Sequence, residues 1–410
     1  MHEPGAAAPS AQRGGHPAAL TASAWRWPGA AGAVGRGQVV DLVAGLESAL
    51  AGDAVVAPLP RRDPDAVLAA LRPESAPEID AGVMVATSGS TGAPRLVLLS
   101  TRAVLASAAA THARLGGAGD WVSVLPVHHV AGLMTVARAV AAGTSVTYAS
   151  PDLSDLPAAG GRTYLSVVGA QLWRALDDPG LVARLRDYAA VLLGGSAANP
   201  TVLERCAHAG ITVVTTYGMA ETCGGCVYDG KPLDGVRVSL IDGERIALTG
   251  PMAFSGYRLD EAATAEVLDG LTVLTRDRGR LEPDGRLRVT GRVDDVVISG
   301  GMNVDLAEAQ RLAEARLGPP EAGGPVLLAI PDARWGSRIV AVTTSDTGLD
   351  ELVGALRGDL GAAALPRELR RVSRLAYTPT GKIDSVALRR DWERLDSRGG
   401  ELRGTDGDAG

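Results

Sequence analysis

Short, uninterrupted apolar runs recur along the first half of this chain: GVMVAT (82–87), WVSVLPV (121–127), TYLSVVG (163–169), AAVLLGG (189–195) and ITVVTTYG (211–218). They carry no alternation of polar and apolar residues, so strands formed from them must be buried on both faces. Between them lie Ala/Leu-rich segments with the period of a helix, such as TRAVLASAAATHARL (101–115) and PTVLERCAHAG (200–210). Strands apolar on both sides and separated by helices predict an α/β architecture, a largely parallel sheet covered by helices on both faces. Past residue 230 the pattern changes. GVRVSLIDGERIALTG (235–250) and GRLEPDGRLRVTGR (279–292) alternate apolar and polar residues around Asp-Gly pairs, which predicts antiparallel hairpins. Beyond Asp294 the spacing predicts a smaller α+β unit: a helix near 305–318, strands at 324–330 and 337–344, a helix near 348–361 and a final loop, TPTGKID (378–384).

At 410 residues and 46% hydrophobic, the chain has room for more than one domain and a sizeable core. The expected division is an unstructured extension over 1–20, a large domain over 21–293, a small domain over 294–395 and an unstructured tail over 396–410. A formal net charge of −7 argues against a nucleic-acid or anionic-membrane partner, which needs a basic footprint. The Arg-rich run RDRGRLEPDGRLRVTGR is broken by acids and does not change this. No segment reaches the roughly 18 uncharged apolar residues of a membrane helix, and the first residues lack a signal-type apolar core. A cytoplasmic protein is expected. Cys206, Cys223 and Cys226 make no disulfide framework. The C-x-x-C of Cys223 and Cys226 lacks the second pair or histidines of a zinc site, so a structural role is expected.

The charge inventory holds a sharper clue. Of 40 basic residues only two are lysines, Lys231 and Lys382, and the second sits in the TPTGKID loop. Three other stretches carry chemistry. VATSGSTGAPRLVLLS (85–100) runs an apolar strand into a Thr/Ser/Gly cluster followed by a cation, a composition that can wrap phosphate; its glycine spacing is not that of a Walker A loop. TTYGMAETCGG (215–225) opens a strand end into a loop with an aromatic ring, a glycine and a carboxylate. There Tyr217 could stack on a base and Glu221 could hold magnesium. LTRDRGR leads to GRVDDVVISGGMNV, where Asp277 could bind ribose hydroxyls and Arg292 a phosphate. Read alone, SGSTG is more often a flexible turn than a phosphate site, and Glu221 is more often a solvated loop acid.

Together, and in this order, they resemble the adenylate-forming enzymes, the family of acyl-CoA synthetases, adenylation domains and firefly-type luciferases. TSGSTGAPR, YGMAE, TRD, GRVDDVVISGG and PTGK follow one another as that family's motifs do, and LPVHHVAGL and GERIALTGPMAFSGYR resemble two further elements. The resemblance spans about residues 83 to 384. It implies a small antiparallel sub-barrel beside the parallel sheets and a mobile C-terminal domain. It also implies roles: Thr87, Ser88, Gly89, Ser90, Thr91, Gly92 and Arg95 around ATP phosphates; Gly194, Gly195, Ser196, Tyr217 and Gly218 around adenine; Asp277 on ribose; Glu221 on Mg2+. Arg292 would contact the nucleotide and Lys382 would bridge the substrate carboxylate and the α-phosphate. Asp294 would be the hinge, Ser299, Gly300 and Gly301 would line a CoA tunnel, and His129, Gly132 and Ser196 would line the acyl pocket. A compact ammonium can touch oxygens of both reactants where a planar guanidinium fits poorly, which accounts for a lysine at 382.

Two residues depart from the family pattern. Arg95 stands where a lysine is expected, and Ala220 replaces a hydroxyl-bearing residue, with slower adenylation as the expected consequence. The early phosphate loop, ETCGGCVYDG and RLGGAGDWVSVLPVHHVAGL resemble the short actinobacterial o-succinylbenzoate-CoA ligases of menaquinone biosynthesis. The implied reaction is adenylation of o-succinylbenzoate by ATP with magnesium, then transfer to CoA; a homodimer is one candidate assembly. Alternatives are a ligase or carrier-loading enzyme for another acid, and a nucleotide-binding protein without ligase activity.

Overall fold

The computed structural model describes residues 23–28, 38–60, 64–72, 74–75, 77–78, 80–88, 94–378 and 382–403. The chain divides into two compact units, residues 1–239 with 247–274, and residues 240–246 with 275–410.

The first unit holds two large sheets. In one, the strands run in the order Gly256–Tyr257, Pro94–Leu99, Val83–Ser88, Ala54–Pro58, Ser23–Pro28, Gln38–Asp41. Val83–Ser88 pairs parallel to Ala54–Pro58 and antiparallel to Pro94–Leu99. The other is ordered Lys231–Pro232, Gly224–Tyr228, Val213–Met219, Ala190–Gly194, Thr163–Val168, Asp120–Ser123, Val146–Tyr148. From Val213–Met219 to Val146–Tyr148 every pairing is parallel, as the double-sided apolar runs predict. Successive residues of these strands enter opposite cores. Val191, Leu193, Leu165 and Val167 pack with Leu172, Leu185, Val202 and Cys206 on one face. Ala190, Leu192 and Tyr164 pack with Trp121, Ala139 and Tyr228 on the other. Each fully buried Val or Leu contributes roughly 1.5–3 kcal/mol, so neither face tolerates a polar alternation.

The covering helices start and stop where the sequence says. Ser100 caps Thr101–Arg114 by accepting from Ala103 N–H, and Asn199 with Pro200 opens Pro200–Ala209, which Gly210 ends at φ +72°. The short first strands and the helix Leu42–Leu50, capped by Asp41, carry no run long enough to have been anticipated.

The strand Thr272–Leu281, which enters the second unit at Thr275, pairs antiparallel with Leu287–Arg292 from Asp277 onward, as the Asp-Gly turn predicts. The α+β part has the strand order Met302–Asp305, Val296–Ser299, Gly336–Thr343, Val326–Asp332, with Glu368–Arg371 parallel on Gly336–Thr343. Leu327, Ala329, Ile339 and Ala341 face the helices Leu306–Leu317 and Leu349–Leu356. Their neighbours Val326, Leu328, Ile330, Val340 and Val342 pack on Leu388 and Trp392 of the last helix. That helix, Ser385–Arg403, includes residues 396–403, which composition assigns to an unstructured tail. Residues 1–20 and 404–410 lie outside the described residues.

Candidate active site

Parallel pairing brings the carboxyl ends of Asp120–Ser123, Thr163–Val168, Ala190–Gly194 and Val213–Met219 to one edge of their sheet. Tyr217 near the end of its strand, and His129, Ser196 and Glu221 on segments that leave this edge, occupy the position where ligands of parallel sheets gather. Two glycines let backbones meet there. A Cβ on Gly194 would stand 2.5 Å from Thr216 Oγ1, and one on Gly218 would stand 2.0 Å from the Gly224 carbonyl. The pairing slips one register between Tyr217 and Gly218, a bulge that re-aims the chain just before Glu221. His129 caps the helix Val130–Ala142, its ring centroid 4.2 Å from that of His128. Burial holds the His128 imidazole below its ordinary pKa, favouring the neutral ring. Gly132 is buried against the Leu125–Pro126 backbone, where a Cβ would lie 2.4 Å from the Pro126 carbonyl oxygen, so it lets the helix sit on the loop before it.

Glu221 leaves this edge on a single 3-10 turn, Ala220–Thr222. Its backbone carbonyl accepts from Phe254 N–H at 2.9 Å, and its Oε1 accepts from the Tyr257 hydroxyl at 2.8 Å. Burial and the adjacent carboxylate hold the Tyr257 phenol above its usual pKa, so it is a neutral donor. Arg95 lies 4.9 Å from the Tyr257 ring centroid and 3.8 Å from Asp260. Thr87 is cross-strand from Arg95 and donates to its carbonyl at 3.2 Å. Ser88 continues the same strand, and Gly89, Ser90, Thr91 and Gly92 lie outside the described residues. Ala220 is buried; the nearby hydroxyl of Thr222, also buried, bonds Met219 and Gly224 and is committed to the turn. Among the described residues no cluster of three or more His, Cys, Asp or Glu side chains could cage a metal. A lone carboxylate with one oxygen oriented by a phenol does fit magnesium, which is held by one or two carboxylates plus substrate phosphates.

The second unit assembles another group. Asp277 and Arg292 are cross-strand partners, joined at 3.2 Å, with the Asp277 side chain 13% exposed. Lys382 reaches the field of both. The residues flanking 379–381 meet: Thr378 N–H donates to the Lys382 carbonyl at 2.7 Å and Lys382 N–H to Thr378 Oγ1 at 3.1 Å, beside a bridge between Tyr377 and Ile383. The Lys382 side chain keeps solvent access, yet surrounding protein atoms and the Arg292 charge push its pKa below the ordinary lysine value, with Asp277 pulling it back. Asp294 receives Arg276 and Arg292 at 3.4 and 3.5 Å. Ser299 is fully buried, its hydroxyl without a partner among the described residues, and Gly300 and Gly301 turn at φ +58° and +79°. Gly300 N–H donates to the Trp335 carbonyl, and the guanidinium groups of Arg334 and Arg367 lie 5.0 and 3.9 Å from the Trp335 ring centroid.

Sequence reasoning missed Tyr257 and Arg138. Arg138 is 3% exposed, its guanidinium 5.1 Å from the Trp121 ring and 3.4 Å from the Tyr228 hydroxyl, with no salt bridge among the described residues. The signal was available: it is the one charge in the helix VAGLMTVARAVAA. Cys223 and Cys226 are buried thiols, the second pushed up to about 12 by burial.

The AMP-binding enzyme family matches residues 32–257, and the AMP-binding enzyme C-terminal domain matches residues 326–382. A probable 2-succinylbenzoate–CoA ligase of Mycobacterium tuberculosis is 40% identical over 79% of this chain and 88% of its own length. The 2-succinylbenzoate–CoA ligase of Listeria innocua is 31% identical over 74% of this chain and 68% of its own. Among solved structures, the o-succinylbenzoate CoA synthetase of Bacillus subtilis in complex with its acyl-adenylate intermediate superposes with a TM-score of 0.64 at 25% identity, over 77% of this chain and 69% of that one. Family match, motif order and fold agree, and the chain belongs to the AMP-binding, adenylate-forming enzymes.

Proposed function

We propose that this chain is an AMP-forming acid–thiol ligase that adenylates 2-succinylbenzoate and transfers the acyl group to CoA, a step of menaquinone biosynthesis. The observation that carries this reading is the grouping of Lys382 with Arg292 and Asp277 in one unit, within a chain that keeps only two lysines. The names of the 40% and 31% identical relatives support the substrate.

In the first half-reaction the substrate carboxylate attacks the α-phosphorus of ATP and pyrophosphate leaves. Two anions must approach each other, so the reaction needs cations placed where negative charge accumulates. Lys382 supplies a compact ammonium for both reactants, and Arg292, braced by Asp277, holds a second positive charge beside it. Asp277, with a side chain mostly shielded from water, accepts the ribose hydroxyls. Glu221 would hold magnesium, which offsets charge on the phosphates when bound. Thr87, Ser88, Arg95 and the loop between them would face those phosphates, with Gly194, Gly195, Ser196, Tyr217 and Gly218 around the base.

In the second half-reaction the CoA thiol attacks the acyl adenylate and AMP leaves. We assign the pivot between halves to Asp294 and the thiol route to Ser299, Gly300 and Gly301. Trp335 with Arg334 and Arg367 beside that turn offers a stacking face and two cations for the nucleotide end of CoA. The distal carboxylate of the acid needs a donor. His129 and Ser196, both carried by segments beyond the carboxyl edge of the sheet, are the candidates. A homodimer in the cytoplasm completes the proposal; among the described residues no helix is long and apolar enough to cross a membrane.

ATP–pyrophosphate exchange tests the reading. Exchange stimulated by 2-succinylbenzoate, followed by CoA-dependent thioester formation, is expected. Exchange driven only by another acid overturns the substrate, and nucleotide binding with no exchange overturns the ligase.

A further inference from the structure

Glu221 stands on a turn only three residues long, yet two contacts restrain it, both from one neighbouring segment, residues 254–257. The backbone of Phe254 fixes its carbonyl at 2.9 Å and the hydroxyl of Tyr257 fixes its Oε1 at 2.8 Å. An ionised carboxylate only accepts and a phenol has one proton, so the phenol is the donor. That donor is rigid. Tyr257 is 7% exposed, pairs across the sheet with Val97, donates its own N–H to Thr264 Oγ1 at 2.9 Å and meets the Phe254 ring edge-on at 5.0 Å. Against its ring lies Arg95, whose far end reaches Asp260 at 3.8 Å.

We propose that Tyr257, held by Arg95, is a positioning residue that fixes Glu221 for its magnesium ion, and that arginine stands at 95 because a planar guanidinium can lie on the ring while still presenting positive charge. This inference rests on Glu221 being the metal ligand of the adenylation reaction. The phenol takes Oε1 and sets the plane of the carboxylate, so Oε2 keeps one orientation toward the ion. Hydrogen bonds behind a metal ligand change metal affinity by about 10- to 100-fold. Lysine has no planar face to lay on the ring, so it would keep the charge and lose the seat. The departure at 95 from the family's lysine is on this account a feature of the metal site, reached across the sheet from the strand that leaves the phosphate loop.

Manganese binding to the full chain in the presence of ATP, followed by electron paramagnetic resonance, tests this without turnover. Tyr257→Phe is expected to weaken manganese binding about tenfold, and Arg95→Lys to weaken it less. Metal-free ATP binding in EDTA should hold in Tyr257→Phe, which sets the effect apart from a general loss of structure. In a Glu221→Gln background, Tyr257→Phe should add nothing. Unchanged manganese affinity in Tyr257→Phe overturns the proposal, as does an equal loss that persists without the Glu221 carboxylate, or a wild-type chain that takes up no manganese with ATP. Unchanged affinity in Arg95→Lys overturns the part assigned to arginine. Should the wild type show this tyrosine-dependent affinity but no exchange with 2-succinylbenzoate, the substrate reading falls and the positioning role stands.

Discussion

Lys382 faces two opposing electrostatic influences. Crowding and Arg292 disfavour its proton, and Asp277 favours it. In the role proposed for Lys382 adenylation needs the protonated form, so a depressed pKa brings the loss of activity on the alkaline side to lower pH than an ordinary lysine, near 10.4, would give. In the pH profile of kcat/KM for adenylation the basic limb should therefore fall below that value. Arg292→Gln should move the limb upward while lowering the rate, because it removes a repelling charge and a phosphate contact together. Lys382→Ala should slow adenylation by a factor on the order of a hundred or more, the scale of one lost charge-stabilising donor, with Lys382→Arg between alanine and wild type. The lysine and the acids were legible as residue types; the Tyr257 hydroxyl was not. Its partner is 36 positions away in sequence, and nothing local in SGYR marks a phenol that reaches a carboxylate.

At the scale of elements, the strands of the nucleotide sheet were readable because burial on both faces forces continuous apolar runs, and the hairpin of Thr272–Leu281 and Leu287–Arg292 because an Asp-Gly turn and alternation need no distant partner. The tie across Arg258 was not readable. Its side chain is 1% exposed; it pairs with Glu78 at 2.7 Å and donates to the carbonyls of Leu71, Arg72 and Ser75. It thereby joins the strand that carries Tyr257 to the segment after the helix Asp65–Leu71. Removing it leaves several carbonyls and an acid without their donor, so Arg258→Ala should destabilise the fold by about 3 kcal/mol, seen as a lowered midpoint in urea. The end of the last helix is fastened in a similar way: Asp396 pairs with both Arg338 and Arg370, and Arg338 also with Glu368. These pairs hold residues that composition alone would leave in a tail, because a Gly-rich, charged sequence gives no local sign of partners supplied by strands 26 and 58 positions away.

For the whole molecule, two half-reactions with separate requirements predict separable defects. Arg367→Ala or Trp335→Ala should raise the KM for CoA in thioester formation about tenfold and leave pyrophosphate exchange at its wild-type rate, whereas Lys382→Ala should do the reverse. Rapid-quench measurement of each half-reaction checks both. The architecture, the order of the motifs and the place of Lys382, one of two lysines, could be read along the chain. Those depend on periodicity, on turn chemistry and on residues whose spacing along the chain is what matters. The side-chain partnerships came from folding: Tyr257 behind Glu221, Arg95 against Tyr257, Asp277 against Arg292, Arg138 buried beside Trp121. A hydrogen bond or a buried charge is defined by distance and dielectric, and both are set by parts of the chain that fold together from far apart.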